Sequence, residues 1–109
     1  MTHYFLLVAI MIIVVLGLPG TGKSYFAERL SDRIGAVYLN SDRLRNALHA
    51  RGKYTMEDKL HIYRVMAEKT DQALDQGKSV IVDASFYKQE MIDLFVTLSK
   101  DHALPIKVH

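Results

Sequence analysis

The 109-residue chain has no cysteine. That excludes disulfides, metal–thiolate sites and a cysteine nucleophile, and it agrees with a cytoplasmic protein. Neither charge sign is in excess: 14 Lys+Arg against 12 Asp+Glu leave a formal net charge of +2. So even a balance offers no basic stripe that would track a nucleic-acid backbone or an anionic membrane. The apolar run from Tyr4 to Leu16 is shorter than the roughly 18 residues a membrane-spanning helix needs. It also lacks the basic leader and small-residue cleavage site of a secretory signal. His3, His49, His61, His102 and His109 show no metal-ligand spacing and read as solvated. There is no internal repeat and no low-complexity stretch. What remains, 50% hydrophobic and 24% charged residues, suits one packed domain.

The most informative segment is Gly17-Leu18-Pro19-Gly20-Thr21-Gly22-Lys23-Ser24. It fits the G-x-x-x-x-G-K-[ST] phosphate-binding loop at every fixed position, with a strand pattern before it and a helical pattern after it. The residue types follow from the task. Glycines let the backbone turn tightly and approach an anion, and Pro19 stiffens the loop. Successive N–H groups form an anion nest, and the helix beginning near Gly22 adds its own free N–H groups and positive dipole end. Lys23 would reach the β- and γ-phosphates, and the Ser24 hydroxyl would ligate Mg²⁺. Tyr25 completes the candidate nucleotide-binding stretch.

Periodicity predicts alternating strands and helices, hence an α/β fold with a parallel sheet. A strand over Met11–Leu16 precedes a helix over Lys23–Ile34, with Phe26, Leu30 and Ile34 on one face and Gly35 as its stop. A short strand at Ala36–Leu39 leads into the capping cluster Asn40-Ser41-Asp42 and a helix to about Ala50. Thr55 caps a long helix from Met56 to about Gln76, with Leu60, Tyr63, Ala67 and Leu74 on its apolar side, and Gly77 ends it. Ser79–Val82 is a buried strand running into Asp83, Lys88–Ser99 is a helix, and Pro105–His109 begins another strand. A domain over residues 11–109 that stops inside a strand reads as truncated at its C-terminus. Residues 1–10 read as an apolar extension: an early start with Met11 as the working one, an edge strand or partner-binding tail, or a membrane-associated leader.

Ligands of open parallel sheets bind beyond the carboxyl ends of the strands, so Asp42 and Asp83 should converge on the phosphate loop. Asp83 after Ser79-Val80-Ile81-Val82 has the form of an acid that holds Mg²⁺ directly or through water; otherwise it caps a turn. Asp42 could take the proton of an acceptor hydroxyl, with Arg45 one turn later pairing with phosphate; otherwise Asp42 caps the helix and Arg45 is solvated. Arg43 reads as surface, as do Arg64 and Lys69 on the long helix. Tyr25, Phe26 and Tyr38 read as core or pocket wall. Arg51-Gly52-Lys53 reads as a solvated loop.

The stretches GLPGTGKSYFAERL, YLNSDRLRNAL and SVIVDASF resemble the P-loop kinase family that includes phage polynucleotide kinase, the zeta toxins and small bacterial ATP-binding kinases. The resemblance spans about Met11 to Leu98. It implies a three-layer P-loop NTPase with strand order 2-3-1-4-5, its last strand missing here, and transfer of the ATP γ-phosphate to a hydroxyl. By the same resemblance Asp42 is the base, Arg45 the substrate-phosphate contact and Asp83 the acid after the third strand. Tyr25 stands where that family often has Thr, and the family's arginine-bearing lid would lie beyond residue 109. ATP and Mg²⁺ are the implied cofactors. The acceptor is a small molecule or nucleotide, with a polynucleotide less favoured, and an exposed sheet edge could join a second copy. The alternatives are a nucleotide-binding ATPase or regulatory module without transfer, and a GTPase, against which the missing Asn-Lys-x-Asp counts.

Overall fold

Two runs of branched apolar residues form the centre of the molecule. β1 (Ile12–Leu16) and β3 (Val80–Ala84) are almost wholly buried, as parallel strands covered by helices on both faces must be. The computed structural model describes residues 9–17, 22–48, 55–84 and 88–109. Around the central pair lie α1 (Lys23–Ile34), β2 (Val37–Asn40), α2 (Ser41–Ala47), α3 (Met56–Asp75), α4 (Gln89–Asp101) and β4 (Ile106–Val108). All strand pairings are parallel, in the order β2-β3-β1-β4. This is the α/β fold expected from the sequence, and its strand order is the one the family resemblance implies, through its fourth strand.

Strand alternation divides the core into two layers. Ile12, Val14, Val80, Val82 and Ala84 pack with Tyr63 and Met66 of α3 and Met91 and Phe95 of α4. Ile13, Val15 and Ile81 pack on the other side, with Ala27, Leu30 and Ile34 of α1. The sheet is thus a filling between α1 and the α3–α4 layer. Each large apolar side chain buried this way stabilises the fold by about 1.5–3 kcal/mol.

The helix ends follow their local chemistry. Thr55 and Asp58 form a reciprocal capping box at the start of α3. Asn40 caps α2 by accepting from the backbone N–H groups of Asp42 and Arg43. α1 opens at Gly22 with φ 82° and closes at Gly35 with φ 67°. A Cβ at either glycine would meet nothing within 4 Å, so backbone conformation, not space, selects glycine there.

Some expected boundaries and faces shift. β2 takes in Asn40 and β3 takes in Asp83, because parallel pairing with a neighbour continues to those residues. α2 ends at Ala47, and the expected end at Ala50 lies outside the described residues. Phe26 is not on the buried face of α1: it is 61% exposed, as is Tyr25 at 69%, while Ala27 and Ser31 face the sheet. Small residues let α1 sit close to the strands, which the larger-residue spacing obscured. On α3, Ile62, Met66, Thr70 and Ala73 are buried beside Tyr63 and Leu74, and Leu60 and Ala67 are half-buried at the edge.

The two phenylalanines make this placement testable. Phe95→Ala, at a position 1% exposed, should cost about 3–5 kcal/mol in urea unfolding. Phe26→Ala should stay within about 0.5 kcal/mol of wild type.

Candidate active site

The period of two along the strands aims Tyr38 and Asn40 of β2 and Ile81 and Asp83 of β3 toward α1. Asn40 and Asp83 are register partners at the carboxyl ends of their strands. β1 ends level with them, Val15 pairing with Asp83, and Gly17 follows with φ 155°. Leu18, Pro19, Gly20 and Thr21, the middle of the expected phosphate loop, lie outside the described residues. Its last residues are described: Gly22, then Lys23, Ser24 and Tyr25 in the first turn of α1.

Asp83 is the focus of the site, at 1% exposure. Lys23 Nζ forms an ion pair with its Oδ1. Tyr38 donates its hydroxyl to Oδ2 at 2.5 Å, and Asn40 Nδ2 donates to Oδ2 at 3.1 Å. The Ser24 side chain lies beside Asp83 and Tyr38, close enough to influence both groups. Burial is the largest single influence on the Asp83 carboxyl and pushes it up; the Lys23, Tyr38 and Ser24 donors together outweigh it and hold the group below its ordinary value of 3.8. Burial, reinforced by donation to Asp83, raises the Tyr38 phenol above its ordinary 10.0. Lys23, Ser24 and Asp83, singled out separately in the sequence, therefore meet. The Ser24 hydroxyl and the Asp83 carboxylate are adjacent hard oxygen donors, the kind of set that suits Mg²⁺.

Asp42 and Arg45 sit beside this cluster on α2. Arg45 Nη1 donates to Asp42 Oδ1 at 3.0 Å, with the Arg45 side chain 6% and the Asp42 side chain 54% exposed. Asp42 thus faces solvent, where an acceptor could reach it. Arg45 points inward instead of standing solvated, and its guanidinium orients the Asp42 carboxylate. Asn40 links the two halves, since its Oδ1 accepts from the Asp42 N–H while its Nδ2 reaches Asp83.

Side chains that the sequence marks only as pocket wall or helix cap frame the site. Tyr38 and Asn40 hold Asp83, a role hidden until β2 and β3 are set in register. Arg43 is exposed as expected, yet it pairs with Glu28 of α1 at 2.8 Å and lies over the Tyr38 ring at 5.2 Å. It clips α2 to α1 across the open end of the sheet. Away from the site, His102 is half-buried rather than solvated. Its Nε2 lies 2.6 Å from Asp71 and its Nδ1 3.8 Å from Asp75, joining the end of α4 to α3. His61 and His109 are exposed; His3 and His49 lie outside the described residues, as does Arg51-Gly52-Lys53. Among the described residues no helix is long and apolar enough to cross a membrane.

The chain belongs to the AAA domain family, which it matches over residues 12–109. Its structural neighbours are small kinases. The Mycobacterium tuberculosis APS kinase CysC, in complex with AMPPNP and APS, is similar at 25% identity and TM-score 0.71, over 92% of this chain and 61% of that one. A sugar kinase from Janibacter sp. HTCC2649 is similar at 28% identity and TM-score 0.67, over 91% of this chain and 58% of that one. The Pnkp1/Rnl/Hen1 complex matches at 22% identity and TM-score 0.70, over 92% of this chain and 36% of that one. The chain thus spans about three fifths of the two single kinases. The sequence resemblance to the P-loop kinases stands, and the fold is that of a P-loop NTPase.

The lowered Asp83 carboxyl fixes a sign. Its contribution to stability is present above the unfolded value near 3.8 and is lost as pH falls through the lower folded value. Asp83→Asn should therefore cost about 3 kcal/mol at neutral pH, the low end for breaking a buried ion pair, and the gap to wild type should narrow as pH falls below 3.8. Urea unfolding of both proteins at pH 7 and pH 2.5 measures it.

Proposed function

We propose that this chain is the nucleotide-binding part of an ATP-dependent kinase that transfers the γ-phosphate to a hydroxyl. The observation that carries this reading is the meeting of Lys23, Ser24 and Asp83 where α1 begins at the carboxyl ends of β1 and β3. Without nucleotide, Lys23 and Asp83 neutralise each other. An incoming polyphosphate offers Lys23 more negative charge than one carboxylate, so Lys23 turns to the β- and γ-phosphates. With Lys23 on phosphate, the Asp83 carboxylate and the Ser24 hydroxyl would hold Mg²⁺, directly or through water. When bound, Mg²⁺ neutralises charge on the β- and γ-oxygens.

The chain's other residues divide the remaining work. The α1 N-terminus, from Gly22, would offer its first-turn N–H groups to phosphate. Gly17 to Ser24, with Tyr25, would line the phosphates. Asp42 accepts the proton of the attacking hydroxyl, and Arg45 holds that carboxylate in place. In the resembling family the arginine at this position touches substrate phosphate. Its burial here favours an orienting role. The acceptor is a small molecule or nucleotide, in keeping with the kinase neighbours and the near-neutral charge. A cytoplasmic setting belongs to the same proposal.

A nucleotide-binding module without transfer is the competing reading, since the chain spans only part of its kinase neighbours. Asp42→Asn separates the two. Transfer to a hydroxyl acceptor should fall roughly 10²–10⁴-fold, the usual worth of a general base, while ATP affinity holds. Undiminished transfer removes Asp42 from the mechanism, and ATP hydrolysis indifferent to every acceptor favours the module. Lys23→Ala should weaken ATP binding itself; unchanged affinity there contradicts the phosphate site.

A further inference from the structure

Asn40 uses both ends of one amide. Its Oδ1 accepts from the backbone N–H of Asp42 at 2.9 Å and of Arg43 at 3.0 Å. Backbone N–H groups can only donate, so the end facing them must be the oxygen. The Nδ2 end then faces the Asp83 Oδ2 at 3.1 Å and the Tyr38 hydroxyl at 3.0 Å. Tyr38 in turn donates to that same Oδ2 at 2.5 Å. Helix capping alone would not need this arrangement, since Ser or Asp caps as well as Asn. What Asn adds is a donor aimed back across the sheet at its register partner, Asp83.

We propose that Tyr38 and Asn40 are positioning residues: together they fix the rotation of the Asp83 carboxylate, and Asn40 also ties the start of α2, which carries Asp42, to that carboxylate. Two donors on Oδ2 leave Oδ1 facing Lys23, the oxygen that becomes available when Lys23 turns to phosphate. The phosphate-donor side and the acceptor side of the site then share one amide group. This inference rests on the reading of Asp83 as the Mg²⁺-side acid.

The test uses Tyr38→Phe, which removes one oxygen, and Asn40→Ser, which keeps a capping oxygen but is too short to reach Asp83. ATP affinity is measured by calorimetry with and without Mg²⁺, beside the melting temperature. In each variant the gain in ATP affinity that Mg²⁺ confers should shrink roughly tenfold or more, the usual cost of losing a partner that orients a metal ligand. Affinity without Mg²⁺ should hold. The double variant should lose less than the product of the single losses, because both donors act on one oxygen. In wild type, Mg²⁺ and ATP together should move the amide resonances of Asp42 and Arg43, and in Asn40→Ser that response should collapse.

A full Mg²⁺ gain in both variants overturns the positioning role, and so do equal losses with and without Mg²⁺, which would mark mere structural damage. An Asp42 response that survives in Asn40→Ser overturns the link to α2. If wild type itself binds ATP without regard to Mg²⁺, the metal reading of Asp83 fails and takes this inference with it. If wild type shows the gain and the variants keep it, the inference fails alone.

Discussion

A carboxylate buried to 1% exposure governs this end of the molecule. Removing an ionised carboxyl from water costs several kcal/mol unless charge and hydrogen bonds replace the lost hydration. Asp83 meets that demand with Lys23, Ser24, Tyr38 and Asn40. Those partners come from α1, β2 and the junction with α2. Satisfying one charge therefore fixes where three elements stand relative to β3. The phosphate-facing start of α1 and the Asp42-bearing start of α2 are placed by the same requirement that keeps Asp83 ionised.

That arrangement also makes the site responsive. Lys23 is bound to Asp83 through a charge that polyphosphate can outbid, whereas Tyr38 and Asn40 are neutral donors with no such competitor. Nucleotide binding should therefore exchange one partner of the carboxylate and leave the others. Arg43, on Glu28 and over the Tyr38 ring, holds the outer wall while that exchange occurs. The kinase neighbours and the AAA domain family give this chemistry its setting. On the proposed reading the acceptor would meet Asp42, the exposed carboxylate at the rim.

Much of this was legible in the sequence because it is local. The buried runs of β1 and β3, the cap at Thr55 and the cap at Asn40 each lie within a few residues, and each has one dominant physical reading. α1 was correctly bounded because Gly22 and Gly35 punctuate it. Its buried face was misjudged at Phe26 because apolar spacing alone does not reveal which face meets a close-packed sheet; Ala27 and Ser31 do. The roles of Tyr38 and Asn40 were hidden for a different reason. They depend on the register of β2 against β3, a contact between residues more than forty positions apart, and no single-chain periodicity encodes it. The same holds for His102, whose partners Asp71 and Asp75 lie on another helix.

When nucleotide binds, Lys23 should leave Asp83 for phosphate while Tyr38 and Asn40 stay. A crystal structure with Mg²⁺ and a non-hydrolysable ATP analogue tests it most directly. Lys23 Nζ should then lie on phosphate oxygens, with Asp83 Oδ1 turned toward the metal and Oδ2 still held by Tyr38 and Asn40. A bound nucleotide with the Lys23–Asp83 pair intact would contradict it.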